Sequence, residues 1–224
     1  MAMARPRVLI TGFGPFPGAP ENPSAWLAKA LVEWAPPECD AELNARVLPT
    51  EWRAVTFMPK FYASLQPTLM IHFGIHQRAK ALRLERSAHN RTSPRADASG
   101  ALPASARVDF GGPERIDTAL PVPELAARLR GCGVPAASSR SAGSYLCNFL
   151  YYHSLAWAKT SDSVALFVHI PPVEAEGVSE ATLLRGAQAI LRFGLDLAPV
   201  RARRTARADS ASDLTQTVIG AKEA

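Results

Sequence analysis

The sequence predicts an α/β fold, a three-layer α/β/α sandwich with a mostly parallel central sheet. Short apolar runs typical of buried strands alternate along the chain with longer amphipathic segments typical of helices. The chain has 224 residues, of which 47% are hydrophobic, and this is enough for one sizeable core. We therefore predict a single domain over residues 1–198 and a mobile C-terminal tail over 199–224, where Ala, Arg, Thr, Ser and Asp alternate.

The first third of the chain contains three predicted strands and two predicted helices. The strands are the apolar runs at 8–10, 43–48 and 69–74. Asn22 and Pro23 are typical of a helix cap followed by a first helical residue, and the segment after them has an apolar face. A second helix is predicted over 51–65, with Thr50 as its cap and a kink at Pro59.

The rest of the chain continues the alternation after one long interruption. Residues 81–87 alternate in polarity, which predicts a half-buried strand with Glu85 on its polar face. Residues 90–114 are rich in Arg, Ser, Ala, Pro and Gly and are predicted to form a long loop. The later predictions are a helix at 123–130, strands at 134–138 and 164–170, and a helix at 179–193 capped by Ser179.

Composition excludes several classes of protein. The net charge is +5, but five basic and three acidic residues lie in 199–224, so the remainder carries only +3 and has no basic stripe interleaved with aromatics. We therefore predict no nucleic-acid partner. The chain has neither the apolar core of a signal peptide nor a run near the roughly 20 apolar residues that span a bilayer. These features predict a cytoplasmic protein that does not bind membranes.

The three cysteines, Cys39, Cys132 and Cys147, are odd in number and lack the spacing of metal ligands, so neither a disulfide framework nor a metal site is predicted. Cys147 differs from the other two in its setting. The small residues before it lead into a helical pattern, which places Cys147 in the opening turn. Unpaired N–H groups there stabilise a thiolate and an oxyanion. Cys147 is therefore either a nucleophile or a small buried apolar residue.

Two aromatic residues and three histidines are further candidates for a site. Phe13 and Phe16 follow the first strand in a Gly-Pro loop and either belong to the core or line a pocket at the strand end. The same loop lacks the third small residue of a dinucleotide-binding fingerprint. His72 lies within a buried run and is interpreted as a core histidine. His76 follows that strand, and His169 ends the strand at 164–170, so both are candidates for a site at the sheet edge.

Taken together, these residues resemble the pyroglutamyl peptidase I family, the pyrrolidone-carboxylate peptidases, which are cytosolic cysteine peptidases. The resemblance runs from about Val8 to near Phe193. Its order and spacing are specific, and four blocks carry it: TGFGPF at 11–16 with Asn22 and Pro23, ERSAHN at 85–90, AGSYLCN at 142–148, and FVHIP at 167–171.

The resemblance implies a catalytic triad. The family's cysteine, histidine and glutamate correspond to Cys147, His169 and Glu85. The implied reaction is removal of an N-terminal pyroglutamyl residue from a small peptide with a blocked N-terminus: Cys147 attacks a carbonyl, His169 transfers protons, and Glu85 orients the imidazole. No cofactor is implied. The family's tendency to form tetramers implies a homo-oligomer.

The resemblance also implies a substrate pocket, with one departure from the family. The lactam ring is expected against Phe13 and Phe16, with Tyr145 and Leu146 closing the pocket, and Asn22 nearby. The family has a glutamine directly after the glycine that ends the third strand, and this chain has Ile75 there. An apolar residue leaves a lactam group unpaired, at a cost of about 1–3 kcal/mol. His76 or Gln77 are the candidates to restore that contact.

Two alternatives to the main hypothesis remain at this stage. Ile75 favours a related amidohydrolase that acts on a different N-acyl or lactam group, and a non-catalytic binding protein on the same scaffold is the second alternative. The loop at 90–114 is predicted to cover the site and to order on substrate binding or subunit association. Arg95 matches an arginine of the family and is either a positioning cation in the site or a solvated surface residue.

Overall fold

A computed structural model describes residues 5–35, 39–173 and 178–198, and the tail predicted at 199–224 lies outside the described residues. Its central sheet has six strands in the spatial order β2-β1-β3-β8-β4-β7. These strands are β1 Arg7–Phe13, β2 Glu42–Leu48, β3 Leu69–Ile75, β4 Leu82–Glu85, β7 Ala136–Ser139 and β8 Val164–Ile170. Only the pair β4 and β8 is antiparallel, so the predicted mostly parallel sheet is confirmed. A second, two-stranded sheet joins β5 Ser87–His89 to β6 Arg115–Asp117.

Helices cover both faces of the sheet, which confirms the three predicted layers. One face packs against α1 Pro23–Glu33, α4 Val122–Gly131 and a helix over residues 180–198. The other face packs against α2 Trp52–Thr56, α3 Met58–Leu65 and α5 Leu146–Thr160. Successive strand residues point to opposite faces, so Val8 and Ile10 belong to the first core and Leu9 belongs to the second. Among the described residues, no helix is both long and apolar enough to cross a membrane.

The start of α1 follows the predicted capping chemistry. The Asn22 side chain accepts from the backbone N–H of Ser24 at 3.2 Å, and Pro23 is the first helical residue. A Cβ atom on Gly12 would lie 2.0 Å from the carbonyl oxygen of Ser24. Only glycine therefore allows the end of β1 to pass this close to the helix, which places the Phe13 to Phe16 loop beside the site.

The prediction of one continuous helix over 51–65, capped by Thr50, is wrong. The chain forms two short helices, α2 and α3, that meet at Phe57, and Pro59 lies in the first turn of α3, where its missing N–H has no helical partner to lose. The hydroxyl of Thr50 donates to the carbonyl oxygen of Gly14 and does not cap α2. The cap comes from Asp97, whose carboxylate accepts from the N–H of Trp52 at 2.8 Å.

The prediction that Glu85 lies on the polar face of a half-buried strand at 81–87 is also wrong. Its strand ends at Glu85, and Glu85 is completely buried because α5 covers that face of the sheet. The hydroxyl of Tyr151 on α5 donates to the backbone carbonyl of Glu85 at 2.9 Å. The polar residues of β4 alternate with apolar ones because they point towards the helical layer that contains α5, and not towards solvent.

The long loop at 90–114 contains no helix or strand, and polar side chains fix its course. The Asn90 side chain donates to the carbonyls of Asp109 and Gly112 and accepts from two backbone N–H groups. Asp97 accepts from the N–H groups of Ser99 and Ala101 in addition to that of Trp52. Side-chain hydrogen bonds to the backbone therefore replace the apolar core that this loop lacks.

Candidate active site

The opening turn of α5 places Cys147 at the edge of the sheet. Tyr145 precedes the helix in an extended conformation, and its side chain does not cap the helix. The first N–H groups of a helix have no partner within the helix, so this turn can receive negative charge. Cys147 is half-buried at the second helical position and borders a cavity.

Glu85 and His169 form a buried pair beside Cys147. Glu85 is completely buried, His169 is 6% exposed, and Glu85 Oε1 lies 2.8 Å from His169 Nδ1. This bond occupies Nδ1 and leaves the other ring nitrogen for Cys147, which lines the same cavity. Glu85 Oε2 has no hydrogen-bond partner within the described part of the chain.

The charge state of His169 follows from these two neighbours. Burial by itself lowers the pKa of His169, but the negative charge and hydrogen bond of Cys147, followed by those of Glu85, outweigh burial and raise the pKa of His169 to about 9. The imidazole is therefore protonated at neutral pH when it faces a cysteine thiolate. This is the ion pair that a cysteine nucleophile needs.

His76 is a second histidine in the site. Its ring meets the ring of His169 edge to face at 5.5 Å, and its Nδ1 has no hydrogen-bond partner among the described residues. Burial and then the charge of His169 lower the pKa of His76, so it is neutral at neutral pH. Gln77 is less available, because its amide donates to the carbonyl oxygen of Gly18 at 2.8 Å.

One cavity of about 360 Å³ gathers nearly all the sequence-predicted site residues. Its wall includes both Cys147 and His169, together with Phe13, Phe16, Asn22, Ile75, Arg95, Tyr145 and Leu146. Glu85 is the exception, since it lies behind His169 and outside the wall. The polar atoms of Asn22 bond to Ser24 and to the carbonyl of Gly14, so Asn22 shapes the wall by holding the loop. Taken as a whole, the surface of the cavity is more apolar than polar.

The long loop reaches this cavity through Arg95. The Arg95 guanidinium lies over the ring of Tyr145, 5.1 Å from its centroid, and the Tyr145 hydroxyl donates to the carbonyl of Ala96 at 2.9 Å. The Trp52 indole N–H donates to the Arg95 carbonyl at 3.3 Å. The loop therefore contacts the cavity beside the start of α5, and whether it covers the site stays a prediction. Its ordering by substrate stays a prediction.

Sequence reasoning missed two residues that build the site. Asp97 joins the loop to α2, and the only sequence signal for it is the Asp-x-Ser pattern of a local side-chain turn. Asn148 joins the start of α5 to β5, since its amide donates to the carbonyls of His89 and Arg91 and its oxygen accepts from the His89 N–H. The local sequence cannot identify these bonds, since their partners lie 45 to 59 residues away.

The arrangement combines a cysteine, an imidazole held by a buried carboxylate, and helix N–H groups around an apolar cavity. These parts suit nucleophilic attack on an uncharged carbonyl group. Within the described residues, no cluster of three His, Cys, Asp or Glu side chains could hold a metal ion.

Comparison with known proteins identifies the family. A family-wide sequence profile described as pyroglutamyl peptidase matches residues 6–186. Human pyroglutamyl-peptidase 1 is 32% identical over 200 residues, which cover 88% of this chain and 93% of that protein. The pyrrolidone-carboxylate peptidase of Pyrococcus furiosus is 33% identical over 171 residues, covering 74% of this chain and 80% of that one.

Solved structures agree with the sequence relatives. The pyrrolidone carboxyl peptidase of Thermococcus litoralis superposes with a TM-score of 0.78 at 26% identity, covering 85% of this chain and 94% of that chain. Pyroglutamyl peptidase I of Bacillus amyloliquefaciens superposes with a TM-score of 0.75 at 26% identity, covering 87% and 97%. Because the profile and these relatives each span most of its length, the chain belongs to the pyroglutamyl peptidase family.

Proposed function

We propose that this protein is a cysteine peptidase that removes the N-terminal pyroglutamyl residue from peptides, with Cys147, His169 and Glu85 as its triad. The observation that carries the proposal is the 2.8 Å bond between buried Glu85 and His169, with Cys147 interacting with the same imidazole at the wall of an apolar cavity. Family membership favours this hypothesis over an amidohydrolase for another acyl group and over a binding protein without activity.

The first half of the reaction forms an acyl-enzyme. The Cys147 thiolate attacks the carbonyl carbon between the pyroglutamyl residue and the next residue. The carbonyl oxygen becomes an oxyanion, which the N–H groups at the start of α5 can stabilise. Protonated His169 then gives its proton to the leaving nitrogen, the C–N bond breaks, and the shortened peptide departs with a free amino group.

The second half releases the acyl group. His169, now neutral, takes a proton from water as the water oxygen attacks the thioester carbon. The C–S bond breaks, pyroglutamate leaves with its carboxyl group, and Cys147 regains the thiolate form beside protonated His169. Glu85 keeps the proton-transferring nitrogen facing Cys147 throughout, because its bond to Nδ1 fixes the orientation of the ring.

The shape and polarity of the cavity suit an uncharged five-membered lactam. The apolar part of the wall comes from Phe13, Phe16 and Leu146. Ile75 adds to it at the position where the family has a glutamine side chain. His76 lines the same wall and is the candidate to hydrogen-bond the lactam. A neutral imidazole can donate or accept there, and the lowered pKa of His76 keeps it neutral.

The decisive experiment is hydrolysis of a pyroglutamyl amide with a chromogenic leaving group. We expect turnover that is lost in Cys147→Ala and kept in Cys132→Ala, a matched change at an exposed cysteine. Thiol alkylation should abolish the activity and chelators should not. Turnover that survives Cys147→Ala would refute the proposal. In a panel of N-blocked aminoacyl amides, preference for any other blocked residue would favour the amidohydrolase alternative that Ile75 suggests.

Two further parts of the proposal concern the setting of the enzyme. A working thiolate needs a reducing compartment, so we place the protein in the cytoplasm, and its three cysteines are all free. Subcellular fractionation would test this location.

The resemblance to a family that forms tetramers supports a homo-oligomer, and static light scattering that gives the mass of one chain would contradict it.

A further inference from the structure

Arg83 lies directly beside the His169 and Glu85 pair. It is opposite His169 in the antiparallel pairing of β4 and β8, and it is two residues before Glu85 on the same face of β4. Its Nε atom lies 3.8 Å from Glu85 Oε1. The guanidinium also donates to the Ser139 hydroxyl at 3.0 Å, which fixes it between the carboxylate and the sheet edge.

Glu85 has a second positive charge beside it, that of Arg83. Glu85 is completely buried, and among the described residues its ion pairs are with His169 and Arg83. Glu85 Oε2 and Arg83 Nε are both buried without a hydrogen-bond partner there. While His169 is protonated, it compensates the carboxylate. When His169 gives its proton to the leaving group, a buried carboxylate with no other cation would be strongly destabilised.

We propose that Arg83 is a positioning residue that compensates the charge of Glu85 after His169 has given up its proton. This inference rests on the proposed function and deepens it. A guanidinium is charged at every stage of the reaction. It therefore stabilises neutral His169 relative to protonated His169, which makes protonated His169 a stronger acid towards the leaving nitrogen.

The other groups around His169 raise or lower the pKa values of the histidines in the site. Cys147 on α5 and Glu85 on β4 raise the pKa of His169 against the effect of burial. His76, after β3, lies against the ring of His169, and Tyr151 on α5 bonds to the Glu85 backbone. After burial and the charge of His169, Arg83 is the next cause that lowers the pKa of His76, whereas Glu85 raises it. The charge of Arg83 thus acts within the site.

The loss of the Arg83 charge determines the direction in which the pH profile should shift. Removing a cation strengthens the binding of every nearby proton, that of His169 included, so the pH profile moves to higher pH in Arg83→Met. We expect each limb of the pH profile of kcat/KM to rise by about 0.5 to 1 on the pH scale. At neutral pH, kcat should fall by roughly three- to tenfold because the acid is weaker. KM should change little, since Arg83 is not part of the cavity wall.

The experiment compares four variants with the wild-type chain. Arg83→Lys keeps the charge and should retain both limbs, whereas Arg83→Met and Arg83→Gln lose it and should shift them. Arg128→Met is the matched control, because it removes the same charge from an exposed ion pair on α4. Urea unfolding checks the fold, and Arg83→Gln and Arg83→Lys still decide the question if Arg83→Met does not fold.

A second measurement separates this inference from the proposed function. The rate of Cys147 alkylation against pH reports the same proton equilibria without turnover. An upward shift in Arg83→Met or Arg83→Gln supports the inference even if the wild-type chain does not hydrolyse a pyroglutamyl amide. Unchanged limbs of the pH profile in Arg83→Met and Arg83→Gln would overturn the inference. A shift in Arg83→Lys as large as the shift in those two variants would also overturn it, because the shape of the side chain and not its charge would then matter. An equal shift in Arg128→Met would also overturn it.

Discussion

Gly74 faces the sulfur atom of Cys147 across the boundary between the sheet and α5. A Cβ atom at position 74 would lie 3.0 Å from that sulfur and 2.8 Å from the ring of Phe167. Gly74 is also the direct neighbour of His169 in the pairing of β3 and β8. The missing side chain at position 74 therefore lets Cys147 approach the sheet next to His169.

Gly74→Ala should reduce activity more than stability. The new methyl group overpacks this position, which costs about 1–3 kcal/mol of unfolding free energy. It also displaces Cys147 relative to His169, and a displacement of this kind lowers kcat by roughly 100-fold. Steady-state kinetics and urea unfolding measure the two effects.

Gly131→Ala is the matched control for this change. Gly131 is the last residue of α4, and a Cβ atom there meets nothing within 4 Å. The control should keep its activity and lose no stability, since alanine is favoured over glycine in helices. If Gly74→Ala keeps full activity, the close approach of Gly74 to Cys147 has no role in positioning the nucleophile.

Glu85→Gln should shift the pH profile in the direction opposite to that expected for Arg83→Met. The amide removes the negative charge that helps to raise the pKa of His169, so that pKa falls and the high-pH limb of kcat/KM moves down. We expect kcat to fall by roughly 10²- to 10⁴-fold, because the imidazolium loses its carboxylate partner and an amide NH2 turned towards Nδ1 would hold the wrong tautomer. Glu124→Gln, in an exposed ion pair, is the control. An unchanged high-pH limb would show that Glu85 does not set the charge state of His169.

Asp97→Asn should weaken substrate binding through the long loop. The carboxylate accepts from the N–H groups of Trp52, Ser99 and Ala101, and an amide cannot accept at both of its terminal atoms. Losing the cap of α2 costs about 1 kcal/mol locally. The loosened loop should release Arg95 and Tyr145 from their positions, raising KM several-fold with a smaller effect on kcat. Asp109→Asn in the same loop, where one hydrogen bond to Gly111 is at stake, should change KM less.

Substrate should reduce amide hydrogen exchange in the loop at 90–114. The loop contacts the cavity only near Arg95, and its course depends on polar side chains, so the free enzyme should open there more readily than in the sheet. Exchange measured with and without a non-hydrolysable pyroglutamyl analogue tests this. Equal protection in both states, with unchanged kinetics in Arg95→Ala, would show that the loop takes no part in binding.

His72 should make the protein less stable in acid. Burial lowers the pKa of His72 to about 3, and its two ring nitrogens bond to the hydroxyls of Thr11 and Ser154. The unfolded chain binds a proton at its ordinary pKa near 6.5, so this stability is complete above that pH and is lost as pH falls towards 3. The loss is about 1.4 kcal/mol per pH unit.

Urea unfolding between pH 4 and 6 measures this slope. His72→Gln should reduce the slope by about one proton even if it lowers stability at every pH. His89→Gln, outside this buried network, is the control and should keep the slope. A slope that is unchanged in His72→Gln would show that His72 is not the buried neutral group responsible.

The sequence by itself determined the succession along the chain of the six strands of the central sheet, the apolar faces of α1 and α4, and the start of α1 at Asn22 and Pro23. These features arise from interactions between residues a few positions apart, such as a cap bonding two residues ahead or apolar positions that recur along one face. The four sequence blocks also identified the family and named Cys147, His169 and Glu85 as candidates. Family membership is confirmed by the comparisons, whereas the roles of the three residues stay predictions.

Only the tertiary structure decided where those candidates meet and what surrounds them. Local alternation placed Glu85 towards solvent, but α5 packs on that face and buries it against His169. The helix predicted over 51–65 divides in two, and its cap comes from Asp97, 45 residues away. The approach of Gly74 to Cys147 depends on how α5 packs on the sheet, and that of Arg83 to His169 depends on β4 and β8 being neighbours in it. Local patterns cannot specify these contacts, because they arise when strands and helices distant in sequence pack to bury their apolar faces.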